Sequence, residues 1–267
     1  MDRVLLQFNN DNTVATVALN RPEKHNGVDW AMLKAVRKVQ QQLSKHANLR
    51  AVVLKGEGPS FCAGLDVKSV MSNPRTAAVM YANLWLPMRN IFQTWSMGWR
   101  DLGVPVIAQI HGNCFGAGIQ LALGADIRVC SPDAQLSILE AKWGLVPDMG
   151  GGALLRELLP VDVAKELTMT GRMLSGQQAK EMGLVTHAVA NPEEKVQQLV
   201  QEILTRSPDS VAASKFMLQR IFGLDEDAHL TQERRWQRRL LGFKNQRISV
   251  AKNSREPSLQ FAKRQIR

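Results

Sequence analysis

Residues 102–125 form a run of 24 without a formal charge, and no other feature limits the fold of this chain as much. A run of that length and polarity is long enough to cross a bilayer. It also contains Pro105, His111, Asn113, Gln120 and five glycines, a mixture that is costly in lipid, where freed backbone groups find no partner. In a water-soluble chain the same residues read as a buried strand over 104–110, a tight turn over 111–118 and a buried helix from about 119 to 124.

The rest of the chain continues this alternation. Residues 5–8 and 14–19 read as strands joined by a turn at 9–12, so a hairpin opens the fold. Trp30, Leu33, Val36, Val39 and Leu43 recur at helical spacing behind Asp29, which is placed to cap that helix. A buried strand over 51–55 runs into Gly56 and Gly58, and another strand is expected over 125–130. Ser175 and Gln178 form a potential capping box, Gly183 is placed to stop that helix, and Asn191-Pro192 opens the next. Between residues 67 and 99, Met71, Met80, Trp85, Met88, Phe92, Trp95 and Met97 make a stripe suited to a core or to the wall of a pocket for a flexible acyl chain.

Composition narrows the class. With 267 residues and 45% hydrophobic content, the chain can bury one substantial core and needs no second domain. Cys62, Cys114 and Cys130 are odd in number and form no C-x-x-C pair, which suggests neither a disulfide framework nor a thiolate metal site. Residues 1–8 lack the apolar core of a signal peptide, and the last three residues are no peroxisomal address, so a cytoplasmic location is expected. The formal charge of +10 comes entirely from residues 234–267, which carry eleven Lys and Arg against Glu256 alone. Such a segment suits a polyanionic ligand, a nucleotide phosphate or nucleic acid. Trp236, Leu240, Leu241, Phe243, Ile248, Val250 and Phe261 interleave with the charges, which argues against a disordered arm.

Two sets of residues carry potential chemistry. Glu140 and Asp148 follow the strand-like run 136–139 and precede three glycines at 150–152. Carboxylates at a strand end among Trp143, Leu145 and Val146 would be partly desolvated, which raises a carboxyl pKa toward the range of a general acid or base. The alternative is that Glu140 caps a turn and Asp148 caps a helix over 149–152. The second set is the pair of small-residue turns at Ala63-Gly64 and Gly116-Ala117-Gly118. Such turns let backbone N–H groups approach a ligand oxygen, as in an oxyanion hole, or let a helix pack closely on a strand. Neither phosphate-loop nor dinucleotide-binding spacing is present. The five histidines lie in no metal or nucleophile motif, and the cysteines of the turns read as packing residues.

Leu19-Asn-Arg-Pro22 with Asn26, Phe61-Cys-Ala-Gly-Leu-Asp66, His111-Gly-Asn-Cys-Phe-Gly-Ala-Gly118, Ala125-Asp-Ile-Arg128, Trp143-Gly-Leu-Val-Pro147, Thr170-Gly-Arg172 and Gly183-Leu-Val185 resemble, in order, the crotonase or enoyl-CoA hydratase/isomerase superfamily. The resemblance implies an α/β fold built as a spiral of ββα units with two nearly perpendicular sheets. The spiral would occupy residues 1–190, and 191–267 would form a helical region for assembly into homotrimers or hexamers. It implies an acyl-CoA thioester substrate, with the carbonyl oxygen held by the N–H groups of Ala63 and Ala117 and with Lys24, Gly64, Leu65, Asp66 and Gly116 at substrate-binding positions. The basic C-terminal segment would face the ADP phosphates of CoA. No metal or separate cofactor is expected, because CoA is part of the substrate.

Hydratases of this superfamily use two glutamates. The position of the first is Gln120 here, and the second is matched by Glu140. Dienoyl-CoA isomerases resemble the chain at Glu140 and Asp148 but carry an aspartate at the position of Gln120, and some enoyl-CoA isomerases need a single carboxylate. The expected activity is therefore enoyl-CoA or dienoyl-CoA isomerisation through an enolate, with catalytic Glu140 and Asp148. Hydration is the alternative, and an RNA-binding or non-catalytic CoA-binding homologue is the alternative of another class. RNA motifs and aromatic platforms are missing, so nucleic acid is not an expected partner, and neither is a membrane.

Overall fold

The computed structural model describes residues 2–66, 69, 74–85 and 87–266; Met71, named above, and Arg267, the end of the basic segment, lie outside them. Among the described residues, a six-stranded sheet runs in the order β1-β2-β3-β4-β6-β9. Its strands are β1 (Val4–Phe8), β2 (Val14–Leu19), β3 (Ala51–Gly56), β4 (Val106–Ile110), β6 (Ile127–Cys130) and β9 (His187–Ala188). The opening hairpin is antiparallel, and every later neighbour is parallel. A smaller sheet joins β5 (Asn113–Phe115), β7 (Gln135–Ser137) and β8 (Leu174–Ser175). Single bridges from Val28 to Leu65 and from Cys62 to Cys114 extend this second layer. Successive stretches of chain thus give one strand to the large sheet and a short extended piece to the small one, and the expected α/β spiral is the observed architecture.

Strand alternation divides the core. Val52, Leu54, Val106, Ala108, Ile110 and Cys130 point into the main core, whereas Ala51, Val53, Ile107 and Val129 point to the other face. That second face is covered by Val196 and Val200 of the helix Pro192–Leu204. Both faces of the parallel strands are dry, which is why β3 reads as a continuous apolar run rather than an alternating one. The region after residue 190 therefore begins by closing the sheet.

Local signals place the helices. Asp29 caps Trp30–Leu43 by accepting from the Met32 N–H at 2.7 Å, and Met32, Leu33, Val36, Val39 and Leu43 are its buried stripe. The Ser175–Gln178 capping box and the Asn191 cap are both formed. The charge-free run becomes β4, β5 and the helix Ala117–Leu123, which starts two residues earlier than its apolar pattern suggests because Gly116 caps it. The Met- and Trp-rich stretch divides in two: Met80, Phe92, Trp95 and Trp99 are buried, whereas Trp85 and Met88 are exposed.

Much of the basic C-terminal segment is helical. Its helices, Glu226–Leu240 and Lys244–Ser254, are followed by an irregular tail pinned at Asp209, whose carboxylate accepts from Asn245 Nδ2 (2.7 Å) and from the N–H groups of Gln265 (2.6 Å) and Ile266 (2.8 Å). Buried Lys215 pairs with Asp126 at 2.8 Å and donates to the Trp99 and Val104 carbonyls, fastening the helix Pro208–Leu218 to the sheet. Among the described residues, no helix is long and apolar enough to cross a membrane.

Candidate active site

Arg21 and Asn26, from the first motif, build the loop that follows β3. Asn26 Oδ1 accepts from the Arg21 N–H at 2.8 Å, and its Nδ2 donates to the Glu57, Ser60 and Phe61 carbonyls. The Arg21 guanidinium donates to Gly27 O at 2.9 Å and to Asp66 at 2.8 Å. Asp66 also accepts from the Ser69 N–H at 3.0 Å. Burial pushes the Asp66 carboxyl up, but the Ser69 N–H, Arg21 and Lys24 together hold it below its ordinary value. Asp66 is thus a loop tie, and Lys24 stands exposed beside it.

The two glycine turns lie side by side. Phe61 N–H donates to His111 O, Cys62 N–H to Asn113 O, and Phe115 N–H to Cys62 O, all at 2.9 to 3.0 Å. Gly64 and Gly116 sit at φ +97° and +50°, conformations that side-chain-bearing residues rarely adopt. A Cβ on Gly116 would lie 3.4 Å from Glu140 Oε1 and 4.0 Å from Gly64 Cα. The glycines therefore bring the turns and the acid to one place.

The assignment of Ala63 as an oxyanion donor needs correction. His25, at φ +49°, turns its carbonyl toward this loop and accepts from the Ala63 N–H at 2.9 Å. In the loop 63–66 the N–H group left without an acceptor among the described residues is that of Leu65, and across from it those of Ala117, Gly118 and Ile119 open the first turn of a helix. Ala117 is the first residue of its helix, so its N–H has no intrahelical acceptor. Trp95 Nε1 donates to its carbonyl at 2.8 Å and fixes the peptide on the other side. Ala63 is thus not free to donate to a ligand, and the free N–H of this loop belongs to Leu65, read from the sequence only as a substrate-binding position.

Glu140 and Asp148 also differ from their expected settings. The strand ends at Ser137, and Glu140 lies on a 3₁₀ turn, Leu139–Trp143. Asp148 caps no helix: Gly150, at φ +95°, precedes the helix Gly151–Leu155 and takes the capping position without a side-chain bond. Trp143, Leu145 and Val146 are 61%, 55% and 72% exposed, so they do not wall the acids. Glu140 is instead enclosed against Gly116 and Gln120, whose Nε2 donates to Oε1 at 2.6 Å, while Oε2 is buried with no partner among the described residues. Burial raises the Glu140 carboxyl above its ordinary value and Asp148 adds to the rise, against its own backbone N–H and Gln120. Asp148 is exposed at its surface, yet partial desolvation of the carboxyl still raises it, opposed by its own N–H. Free N–H groups beside the Glu140 carboxyl, with Asp148 near enough to raise it, can hold a developing oxyanion and move protons near it.

Other titratable groups are placed structurally. His25 and His111 bond Ser60 Oγ and Gly58 O within the loops. The three cysteines are buried thiols, Cys62 pushed up to about 12 and Cys130 to about 11 by burial. Among the described residues, no cluster of three His, Cys, Asp or Glu side chains could hold a metal ion.

The family described as Enoyl-CoA hydratase/isomerase matches residues 9–256. The chain is 32% identical to the YngF protein of Bacillus subtilis over 241 residues, 85% of this chain and 84% of that protein. It is 33% identical to carnitinyl-CoA dehydratase of Proteus mirabilis over 206 residues, 76% of each chain. A crystal structure of enoyl-CoA hydratase from Bacillus anthracis superposes with a TM-score of 0.88 at 28% identity, covering 97% of this chain and 98% of that one.

Proposed function

The chain belongs to the enoyl-CoA hydratase/isomerase family, and from that premise we propose that it moves a carbon–carbon double bond in an enoyl-CoA or dienoyl-CoA thioester. The thioester oxygen is received by the Leu65 and Ala117 N–H groups, which stabilise the enolate formed when a proton leaves the acyl chain. Each such donor contributes roughly 3 to 4 kcal/mol to lowering the barrier. One of Glu140 and Asp148 removes the proton and the other returns it at a more distant carbon. The acyl-CoA is the only small molecule the step needs.

The observation that carries this reading is the hydrogen bond from Gln120 Nε2 to Glu140 Oε1. A neutral amide stands where a hydratase of the family has its first glutamate. An amide is neither a general acid nor a general base at neutral pH, so the site lacks the second glutamate that hydration uses. Asp148 supplies a second acid on the other side of the acidic loop.

A second reading is reversible removal of water, favoured by the relatives named carnitinyl-CoA dehydratase at 32% and 33% identity. The two are separated by Glu140→Gln, Asp148→Asn and the double variant. These substitutions keep shape and remove the titrating proton, so CoA-thioester binding survives. Isomerisation should fall about 100- to 10,000-fold in each single variant, with losses that do not add in the double variant. Loss only in Glu140→Gln, with water added to a 2-enoyl-CoA thioester by the unmodified protein and no shift of a 3-enoyl double bond, supports the water-removal reading. Near-normal turnover in both overturns the acid–base role of the pair.

A further inference from the structure

Gln120 is 1% exposed and hydrogen-bonded at both ends of its amide. Its Oε1 accepts from the Met149 N–H at 2.9 Å and from the Gly151 N–H at 3.0 Å. Those two donors decide which end of the amide is oxygen, because the flipped amide would set its NH2 against two N–H groups. Nε2 therefore faces Glu140 as a pure donor, at 2.6 Å from Oε1. Met149 and Gly151 lie just after Asp148 in the acidic loop, so one buried amide joins the Glu140 carboxyl to the backbone that carries Asp148.

We propose that Gln120 is a positioning residue that holds the Glu140 carboxylate in its charged, proton-accepting form and locks it to the turn bearing Asp148. This rests on the reading of Glu140 as an acid–base group. A charge-assisted bond to the carboxylate favours the ionised form, and at Glu140 it adds to a stronger contribution from the residue's own backbone. Its own backbone N–H is the other group that does so, and Oε2 has no partner among the described residues. Burial and Asp148 both act in the opposite direction.

The charged groups near Glu140 are few. Its own turn carries Lys142, the following loop carries Asp148, and the helix Val161–Thr170, packed against that turn, carries Asp162, Lys165 and Glu166. The helix Ala117–Leu123 carries none. Asp148 is the one whose charge bears on the Glu140 titration. Removing the Gln120 donor therefore leaves burial and a like charge opposed by one N–H.

The test is a direct titration of Glu140 by carbon-13 NMR of protein labelled at the glutamate side-chain carboxyl. The signal is assigned by its loss in Glu140→Gln. In Gln120→Met the midpoint should rise by about one pH unit, a tenfold tighter hold on the proton. Gln120→Glu keeps an acceptor for the Met149 and Gly151 N–H groups, so it folds even if the methionine variant does not. There the two carboxyls must share a proton, and the Glu140 midpoint should rise further, as one of two coupled steps. The acidic limb of kcat/KM should move with the NMR midpoint in Gln120→Met, so activity lost near neutrality returns at higher pH. A residue that merely filled space would lower the rate at every pH and leave both midpoints where they were. An unmoved Glu140 midpoint in the folded variants overturns the proposal. A protein that turns over no acyl-CoA thioester would overturn the functional reading instead, and the NMR titration needs no substrate.

Discussion

A Cβ on Gly64 would stand 3.8 Å from the amide nitrogen of Ala117, across the gap between the two glycine turns, and 3.0 Å from Phe115 O. Gly64 also sits at φ +97°. An added methyl group meets both limits at once: the left-handed backbone costs about 1 to 2 kcal/mol, and the methyl crowds the Ala117 N–H, the proposed oxyanion donor. In Gly64→Ala, the urea midpoint should fall modestly and kcat should fall about 100- to 1,000-fold, the loss typical of one oxyanion donor. A stability loss with unchanged kcat would place the oxyanion site elsewhere.

The Glu140 carboxyl gives stability a pH dependence of known sign. Burial raises it above its ordinary value in the fold, so the folded protein holds this proton more tightly than the unfolded chain. Its stabilising contribution is full below the unfolded-state value and is lost as pH rises through the higher folded-state value. Glu140→Gln does not titrate there. Unfolding in urea across a pH series should therefore show the unmodified protein losing stability relative to Glu140→Gln through and above the carboxylate range, then levelling off. A constant difference would mean that burial does not dominate the Glu140 environment.

Local chemistry made much of this fold legible in the sequence. Asp29, Ser175 with Gln178, and Asn191-Pro192 cap helices through bonds that span three residues, so their spacing suffices to find them. The small residues of the two turns were equally legible, because their left-handed backbone calls for glycine at Gly64 and Gly116. What escaped depends on distant backbone. Whether Ala63 or Leu65 offers a free N–H is decided by the His25 carbonyl, brought over by a positive φ at a residue that is not glycine. Ile138 and Leu139 extend the apolar run of β7, yet the chain turns into a 3₁₀ helix there. Gly150 takes the helix-capping position that the alternative reading gives to Asp148. The exposure of Trp143, Leu145 and Val146 is equally a property of tertiary packing rather than of local pattern.

The C-terminal region leads to a prediction about assembly. Leu241, Phe243 and Val250 are exposed among its Lys and Arg residues, and Glu226–Leu240 buries none of its own residues. We expect this surface to pack against neighbouring copies while the basic side chains face the ADP phosphates of the bound thioester. Light scattering at micromolar concentration should then give the mass of a trimer or hexamer, and Leu241→Lys with Phe243→Lys should lower it. A monomer mass for the unmodified protein would contradict this.

The central claim is that the pair Glu140 and Asp148, with a non-titrating Gln120 between them, moves a double bond rather than adding water. The most direct measurement is ultraviolet absorbance of the unmodified protein with 2-enoyl-, 3-enoyl- and 3,5-dienoyl-CoA in parallel. The account predicts a change in conjugation with the 3-enoyl or 3,5-dienoyl thioester, abolished in Glu140→Gln, and slow loss of the conjugated 2-enoyl signal at most. Rapid loss of the 2-enoyl signal, with no change in the other two substrates, would contradict it.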